Sequence, residues 1–455
     1  MPGHRRPGRP ATRRRATAGT TALLTLLALI LASSAGCSGL SASRGSDTVG
    51  DGPVRLTFWS ALRGSQEVVD EFNRTHTKIK VDFQQVPSGE QGGWAKLSNA
   101  ARAGNSPDVA TIEYPQLPSF TIDGVPRDIT KLLPDSVRRK ILPQALDLTT
   151  FDGRTYAVPV DIEPMVFLYR KDIFTTNHIP VPRTWAEFES SARKLKKAQP
   201  RSRIASLFTT GGTLYMAAYA WQAGAQWYDT ADDTWRITMD DAPTRKVAAY
   251  WQRLMDEDLV RVEPGSSQQW RAHLRSGETV GYLAGAWAAG SMMASTPDGK
   301  GKWAIAPVPQ WDPAKPKVST QGGSTFMVTK DSHHPKEAME FISWMVTSPD
   351  ALRAKLASGV SSAFPAVPEL VPVARKEMNT SYYSGQDIFG LFQQQAELIS
   401  PTWKWGPRMV STTTSGDDGL AKAGVGSGDI LKALREAQNK TMPDLKSLGL
   451  SVTTG

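Results

Sequence analysis

The sequence predicts an α/β fold with a mainly parallel sheet, because strand-like and helix-like patterns alternate in β-α-β-α-β order between Val54 and Ile112. Val54, Leu56 and Phe58 share one face of a first strand, with Arg55, Thr57 and Trp59 on the other. Val68, Val69 and Phe72 then recur at helical spacing behind Ser65, which is expected to cap the helix. Ile79, Val81 and Phe83 alternate again, Leu97, Ala100 and Ala101 mark a second helix closed by Gly104, and Asp108 to Ile112 reads as a third strand. Such an order calls for parallel pairing with helices on both faces, and ligands of such sheets lie beyond the carboxyl ends of the strands.

Further elements follow in the second half. Tyr156-Ala157-Val158-Pro159 is a short apolar strand. Thr184 and Glu187 form a capping box ahead of Trp185, Phe188 and Leu195. Pro335 opens a helix with Ala338, Phe341, Ile342 and Met345 on one stripe, and Asp429 caps another carrying Ile430, Leu434 and Ala437. About 400 residues lie beyond the N-terminal segment, enough for two domains with sizeable cores.

That segment has its own chemistry. Arg5, Arg6, Arg9 and Arg13-Arg14-Arg15 precede an apolar run from Ala22 to Leu31, followed by small residues, the order of a signal peptide. The run is well short of the roughly 20 residues a spanning helix needs. Leu31-Ala32-Ser33-Ser34-Ala35-Gly36-Cys37 resembles a lipobox and contains the single cysteine, which cannot form an internal disulfide. Cys37 is therefore expected to carry two acyl chains and anchor the mature chain to the outside of the cell membrane. The arginine pairs are compatible with general or twin-arginine export. Residues 38–52, rich in Ser, Gly and Asp, read as a flexible tether.

The formal charge of +9 reflects this leader. Six of the 53 basic residues precede Cys37 with no acidic residue among them, leaving 47 basic against 44 acidic residues. With no basic stretch interleaved with aromatics, nucleic-acid binding loses its electrostatic basis.

The chain resembles the extracellular solute-binding proteins of family 1, the group that includes maltose-binding protein. The resemblance is carried in order by Leu56-Thr57-Phe58-Trp59-Ser60, Ala103-Gly104-Asn105-Ser106-Pro107-Asp108-Val109, Tyr156-Ala157-Val158-Pro159-Val160-Asp161 and Leu168-Tyr169-Arg170-Lys171-Asp172-Ile173-Phe174. It continues through Pro182-Arg183-Thr184-Trp185, Gly277-Glu278-Thr279-Val280-Gly281-Tyr282, Gly285-Ala286-Trp287, Trp303-Ala304-Ile305-Ala306-Pro307, Gly322-Gly323-Ser324 and Thr347-Ser348-Pro349-Asp350. It implies a type II periplasmic-binding-protein-like fold: two α/β lobes joined by crossing hinge strands, with the ligand between them. The crossings would fall near Pro159 to Asp161, Gly322 to Ser324 and Ala363 to Val367. The expected organisation is a signal peptide over 1–36, a lipidated tether over 37–53, lobe I over 54–160 with 324–362, and lobe II over 161–323 with 363–455. The implied function is the lipid-anchored receptor of an ABC importer, a monomer that binds a carbohydrate, without a cofactor, and delivers it to membrane permease subunits.

A sugar presents apolar ring faces edged by hydroxyls, so its site needs flat aromatics together with carboxylates, amides and arginine. Fourteen tryptophans supply candidates. Trp185, Trp235, Trp251 and Trp344 lie in core patterns. Trp287 sits where the resemblance puts a stacking tryptophan, and Trp403 and Trp405 where it often puts another aromatic, so that at least one of that pair is expected in the cleft. Trp59, Ser60 and Arg63 stand at the end of the first strand, and Glu113 and Tyr114 at the end of the third. Asp161 and Glu163, two apart in an extended segment, point to the same side, over the floor of the cleft. Tyr215 and Tyr219 precede Ala223-Gly224-Ala225 where the second lobe contributes aromatics, and the glycines Gly322 and Gly323 suit a hinge or a close backbone approach. Pro115 stands where maltose-binding protein would lead one to expect a carboxylate, so maltodextrin is not implied.

Rival classes remain. An exported glycosidase could use Asp161 and Glu163 as acid and nucleophile. Within the receptor class, glycerol phosphate or a polyamine are alternative solutes. His4, His76, His178, His273, His333 and His334 are not spaced for one metal, and no Gly-x-x-x-x-Gly-Lys loop or Gly-x-Ser-x-Gly elbow occurs.

Overall fold

The computed structural model describes residues 52–231, 233–359 and 361–455. The signal peptide, Cys37 and nearly all of the tether lie outside this range. The described chain begins with β1 (Val54–Ser60), α1 (Ser65–Thr75), β2 (Ile79–Gln85), α2 (Gly93–Arg102) and β3 (Val109–Glu113), the predicted order. β1 lies between β2 and β3, parallel to both. Leu56 and Phe58 are fully buried on one face, while Trp59 leans toward α2 on the other.

The start of α1 differs from expectation. Ser65 is its first helical residue, and the cap is Gly64 at φ 82. A side chain at Gly64 would put its Cβ 2.4 Å from the carbonyl oxygen of Lys355, so the close approach of a later helix fixes glycine there. Elsewhere the expected side-chain caps form, although the return bond of the Thr184 box differs, with the Glu187 carboxylate accepting from the Arg183 N–H at 2.7 Å instead of the Thr184 N–H. Thr184 accepts from the Glu187 N–H at 3.1 Å and Asp429 from the Lys432 N–H at 2.8 Å.

The first sheet is completed by strand Ser324–Val328, antiparallel to β3, and by Val158–Pro159 beyond it. Helix Pro335–Thr347 packs on this sheet, closing the first lobe. In the second lobe, strand Met165–Arg170 pairs antiparallel with Gly281–Gly285 on one side and Trp303–Pro307 on the other. A separate parallel pair joins Ser206–Phe208 to Arg261–Glu263. Helix Met409–Gly424 packs most extensively on Ile430–Lys446 and also against Gly212–Ala223.

The three segments expected to cross between lobes lie side by side. The Val160 N–H donates to Ser324 O at 3.0 Å, Ile162 N–H to Phe364 O at 2.9 Å, and Ala366 N–H to Val160 O at 3.2 Å. Backbone bonds thus join all three passages into one ribbon.

Candidate functional site

A cavity of about 390 Å³ opens where the carboxyl ends of β1 and β3 meet the second lobe across this ribbon. Its floor carries Asp161 and Glu163, both almost fully buried, so the extended spacing does turn both side chains one way. Asp161 Oδ1 accepts the Ser324 N–H at 2.8 Å, and Lys355 Nζ stands 3.7 Å from Oδ2. Glu163 Oε2 accepts the backbone N–H of Trp287 at 2.7 Å. Burial raises both carboxyls above the ordinary range, offset at Asp161 mainly by Lys355 and reinforced at Glu163 by the neighbouring Asp161 charge.

Trp287 lines the second-lobe wall with its indole fixed, Nε1 donating to Gln321 O at 2.9 Å. Tyr282 meets it edge-on at 6.3 Å and shares a 2.7 Å hydroxyl hydrogen bond with Tyr215. On the first-lobe wall, Glu113 accepts from Trp94 Nε1 at 2.7 Å, and burial raises its carboxyl. Arg63 lines the same space and reaches across the cleft, Nη1 donating to Ser291 Oγ at 2.7 Å. Its guanidinium is pulled downward by burial, partly countered by Tyr282.

Of the residues singled out in the sequence, Arg63, Glu113, Asp161, Glu163, Tyr215, Trp287, Gly322 and Gly323 line the cavity. Six do not, each for a physical reason. Ser60 is fully buried, its Oγ bonded to the Leu62 N–H and to the Ser65 and Thr111 hydroxyls. Trp59 lies on the α2 face under the ammonium of Lys96, 4.2 Å from its ring centroid. Tyr114 is buried and donates its hydroxyl to Asp161 O at 2.8 Å, propping the crossing strand from beneath. Trp403 and Trp405 are core residues, which corrects the expectation of a cleft aromatic late in the chain. Trp403 stacks on Trp221 at 5.3 Å and meets Trp405 edge-on at the same distance. Tyr219 is likewise buried, stacked on Trp251 at 4.7 Å.

The sequence reading missed Trp94, Gln116, Phe208, Gln321, Lys355 and Ser361 to Ala363 as cavity residues, and quoted Tyr282 only as part of a motif. Position carried a usable signal for Gln116, three residues past β3, and for Gln321, next to the paired glycines. The buried Gln116 side chain has neither amide atom hydrogen-bonded, leaving a donor and an acceptor at the cavity wall. Among the described residues no cluster of His, Cys, Asp and Glu could hold a metal ion, and no helix is long and apolar enough to cross a membrane.

The arrangement can sandwich a polar solute between walls that combine aromatic faces with carboxylates, amides and a guanidinium. Comparison with known proteins agrees with that design. Residues 60–351 match the family described as bacterial extracellular solute-binding protein. The arabinooligosaccharide-binding protein of Bacillus subtilis (strain 168) is 24% identical over 339 residues, 71% of this chain and 75% of that one. The maltooligosaccharide ABC transporter solute-binding lipoprotein of Streptococcus pneumoniae (strain ATCC BAA-255 / R6) is 22% identical over 333 residues, 71% of this chain and 75% of its own. Among solved structures, the galacto-N-biose-/lacto-N-biose I-binding protein of the ABC transporter from Bifidobacterium longum, in complex with lacto-N-biose, superposes with a TM-score of 0.78 at 26% identity, covering 88% of this chain and 99% of that one.

Proposed function

We propose, from the premise that the chain belongs to the family of bacterial extracellular solute-binding proteins, that it is the carbohydrate receptor of an ABC importer, taking an oligosaccharide into the inter-lobe cavity. The observation that carries this reading is Trp287. Its indole is held by hydrogen bonds at both the backbone N–H and Nε1, so a flat apolar face is fixed at the cavity wall before any solute arrives. Around it stand Glu113, Asp161 and Arg63, groups that pair with sugar hydroxyls. The sugar-binding relatives support the same class of solute.

The proposed lobes are residues 54–160 with 324–362 and residues 161–323 with 363–455, turning about the hydrogen-bonded ribbon and binding as a monomer. Cys37 is the proposed lipid anchor, the basic-apolar leader its signal peptide, and the outer face of the membrane, beside the permease, its location; a relative named as a lipoprotein supports this. A catalytic use of Asp161 and Glu163 is disfavoured, because each spends a carboxylate oxygen on a backbone N–H of another segment.

Glu113, Asp161 and Glu163 outnumber Arg63 and Lys355, and although burial raises these carboxyls, a cation in the cavity would ionise them, which favours as a second reading a cationic solute such as a polyamine; the same excess of acidic groups argues against glycerol phosphate. Isothermal titration of the purified protein with mono- and oligosaccharides, polyols, glycerol phosphates and polyamines separates these. Saturable heat at one site per chain with a sugar is expected. Saturation by a polyamine alone would replace the proposal with the second reading, and heat that persists after saturation would mean turnover.

A further inference from the structure

We propose that Asp417 is the positioning residue of the cavity wall formed by Thr210, Gly211, Leu214 and Tyr215, an inference that rests on reading this cavity as the solute site. Helix Gly212–Ala223 starts from Gly211 at φ 73, and no side chain of its own turn caps it. The first N–H groups of a helix need partners from outside the helix. Asp417, on helix Met409–Gly424, supplies them from about 200 positions away in the chain. Its Oδ2 accepts from the Gly211 N–H at 2.6 Å, and its Oδ1 from the Thr213 N–H at 2.9 Å and the Thr213 hydroxyl at 2.7 Å.

The helices meet closely at this point. A side chain at Gly416 would place its Cβ 2.4 Å from Thr213 Oγ1, so glycine there is a condition of the bond. Among the described residues no cation pairs with Asp417; burial raises its carboxyl above the ordinary range, offset in part by the hydrogen-bond donors of the turn and by the positive end of the helix dipole. Two consequences reach the cavity. The turn fixes the start of the helix that carries Tyr215, whose hydroxyl in turn meets Tyr282, so both aromatic positions depend on it. An open helix N-terminus beside the cavity would also attract an anion. Asp417 already fills it with a carboxylate, and this wall therefore favours an uncharged solute over a phosphate ester.

The test compares wild type, Asp417→Ala and Asp417→Asn by hydrogen exchange and by titration with lacto-N-biose. Asn keeps the shape and one acceptor oxygen, so it should rescue part of what Ala loses. The expected result is exchange at least tenfold faster at the Gly211 and Thr213 amides in Asp417→Ala, an intermediate rate in Asp417→Asn, and unchanged protection in the first-lobe sheet. The affinity for lacto-N-biose should fall in the same order. Unchanged exchange at the turn, or protection lost throughout the chain, would overturn the assignment, as would equal affinity in all three proteins. If wild type itself ignores lacto-N-biose, that choice of sugar fails, while the exchange rates still decide whether Asp417 holds the turn.

Discussion

Glu163 accepts the backbone N–H of Trp287 at 2.7 Å across 124 positions of sequence, so the buried carboxyl on the floor and the aromatic on the wall are one unit. Trp287→Ala removes the aromatic face and the Nε1 donor while leaving the backbone bond. Truncating an anchored aromatic at a binding centre costs about 2 kcal/mol or more. A sugar that binds wild type should therefore bind this variant roughly thirtyfold more weakly by titration calorimetry. Equal affinity in a variant with a wild-type circular dichroism spectrum would place the solute elsewhere.

The same pair gives a pH dependence. Burial, reinforced by the Asp161 charge, raises Glu163 well above the ordinary carboxyl range, so the folded chain keeps a proton that the unfolded chain releases near pH 4.3 (an approximate value for free Glu). Where the folded state binds more protons, stability falls with rising pH. Its contribution is most favourable below about pH 4.3 and is lost as pH climbs through the raised value. Glu163→Gln stays neutral and keeps an acceptor for Trp287. The melting temperature of this variant should rise relative to wild type between pH 4 and pH 8, and a pH-independent difference would refute the linkage.

The strands of the first sheet were legible because one face of each is buried and alternation with period two records it, as at Leu56 and Phe58. Asp161 and Glu163 were legible for the same reason. The tryptophans were not, since composition shows that an aromatic is present and flanking residues do not show what it packs against. Trp403 went to the core because Trp221 and Trp227 offered it ring surfaces from distant parts of the chain, and Trp405 packs edge-on against Trp403. Ser60 and Tyr114 stand at strand ends as read, but hydrogen bonding to buried groups turned them inward. Lys355 left no local trace. It reaches the cavity through the packing of its helix against Gly64, a contact between segments nearly 300 residues apart.

Gly323 tests the ribbon. It sits at φ 101, and an added Cβ would lie 2.7 Å from the Tyr114 ring. Gly323→Ala should cost about 1–3 kcal/mol from backbone strain, with the clash added to it. Gly104→Ala is the control, at φ 64 with open space around it, and should cost about 1–2 kcal/mol. Thermal melts of the two variants should rank accordingly; equal losses would mean that the ring gives way freely.

Membrane attachment depends on Cys37 if the lipobox is used. Cys37→Ala in cells should leave the protein unprocessed or release it into the medium, since two acyl chains hold where none can. Membrane retention at normal mature size would exclude lipidation at this position.

The last expectation concerns closure. Asp123, just past α3 (Leu117–Ile122) in the first lobe, meets Arg408, just before helix Met409–Gly424 in the second, at 3.3 Å. Both side chains are partly exposed, and such a pair contributes up to about 1 kcal/mol, a shift of roughly fivefold in a two-state equilibrium. The pair bridges the lobes directly, as Arg63 does to Ser291, so it favours the closed form with no solute present. Arg408→Glu places two acids face to face and should lengthen the distance between spin labels set one on each lobe. Adding Asp123→Arg restores the attraction with reversed signs and should bring the distance back. If the single variant leaves the distance distribution unchanged, the pair does not bias closure; if the double variant stays as open as the single one, Arg408 acts through some other contact than Asp123.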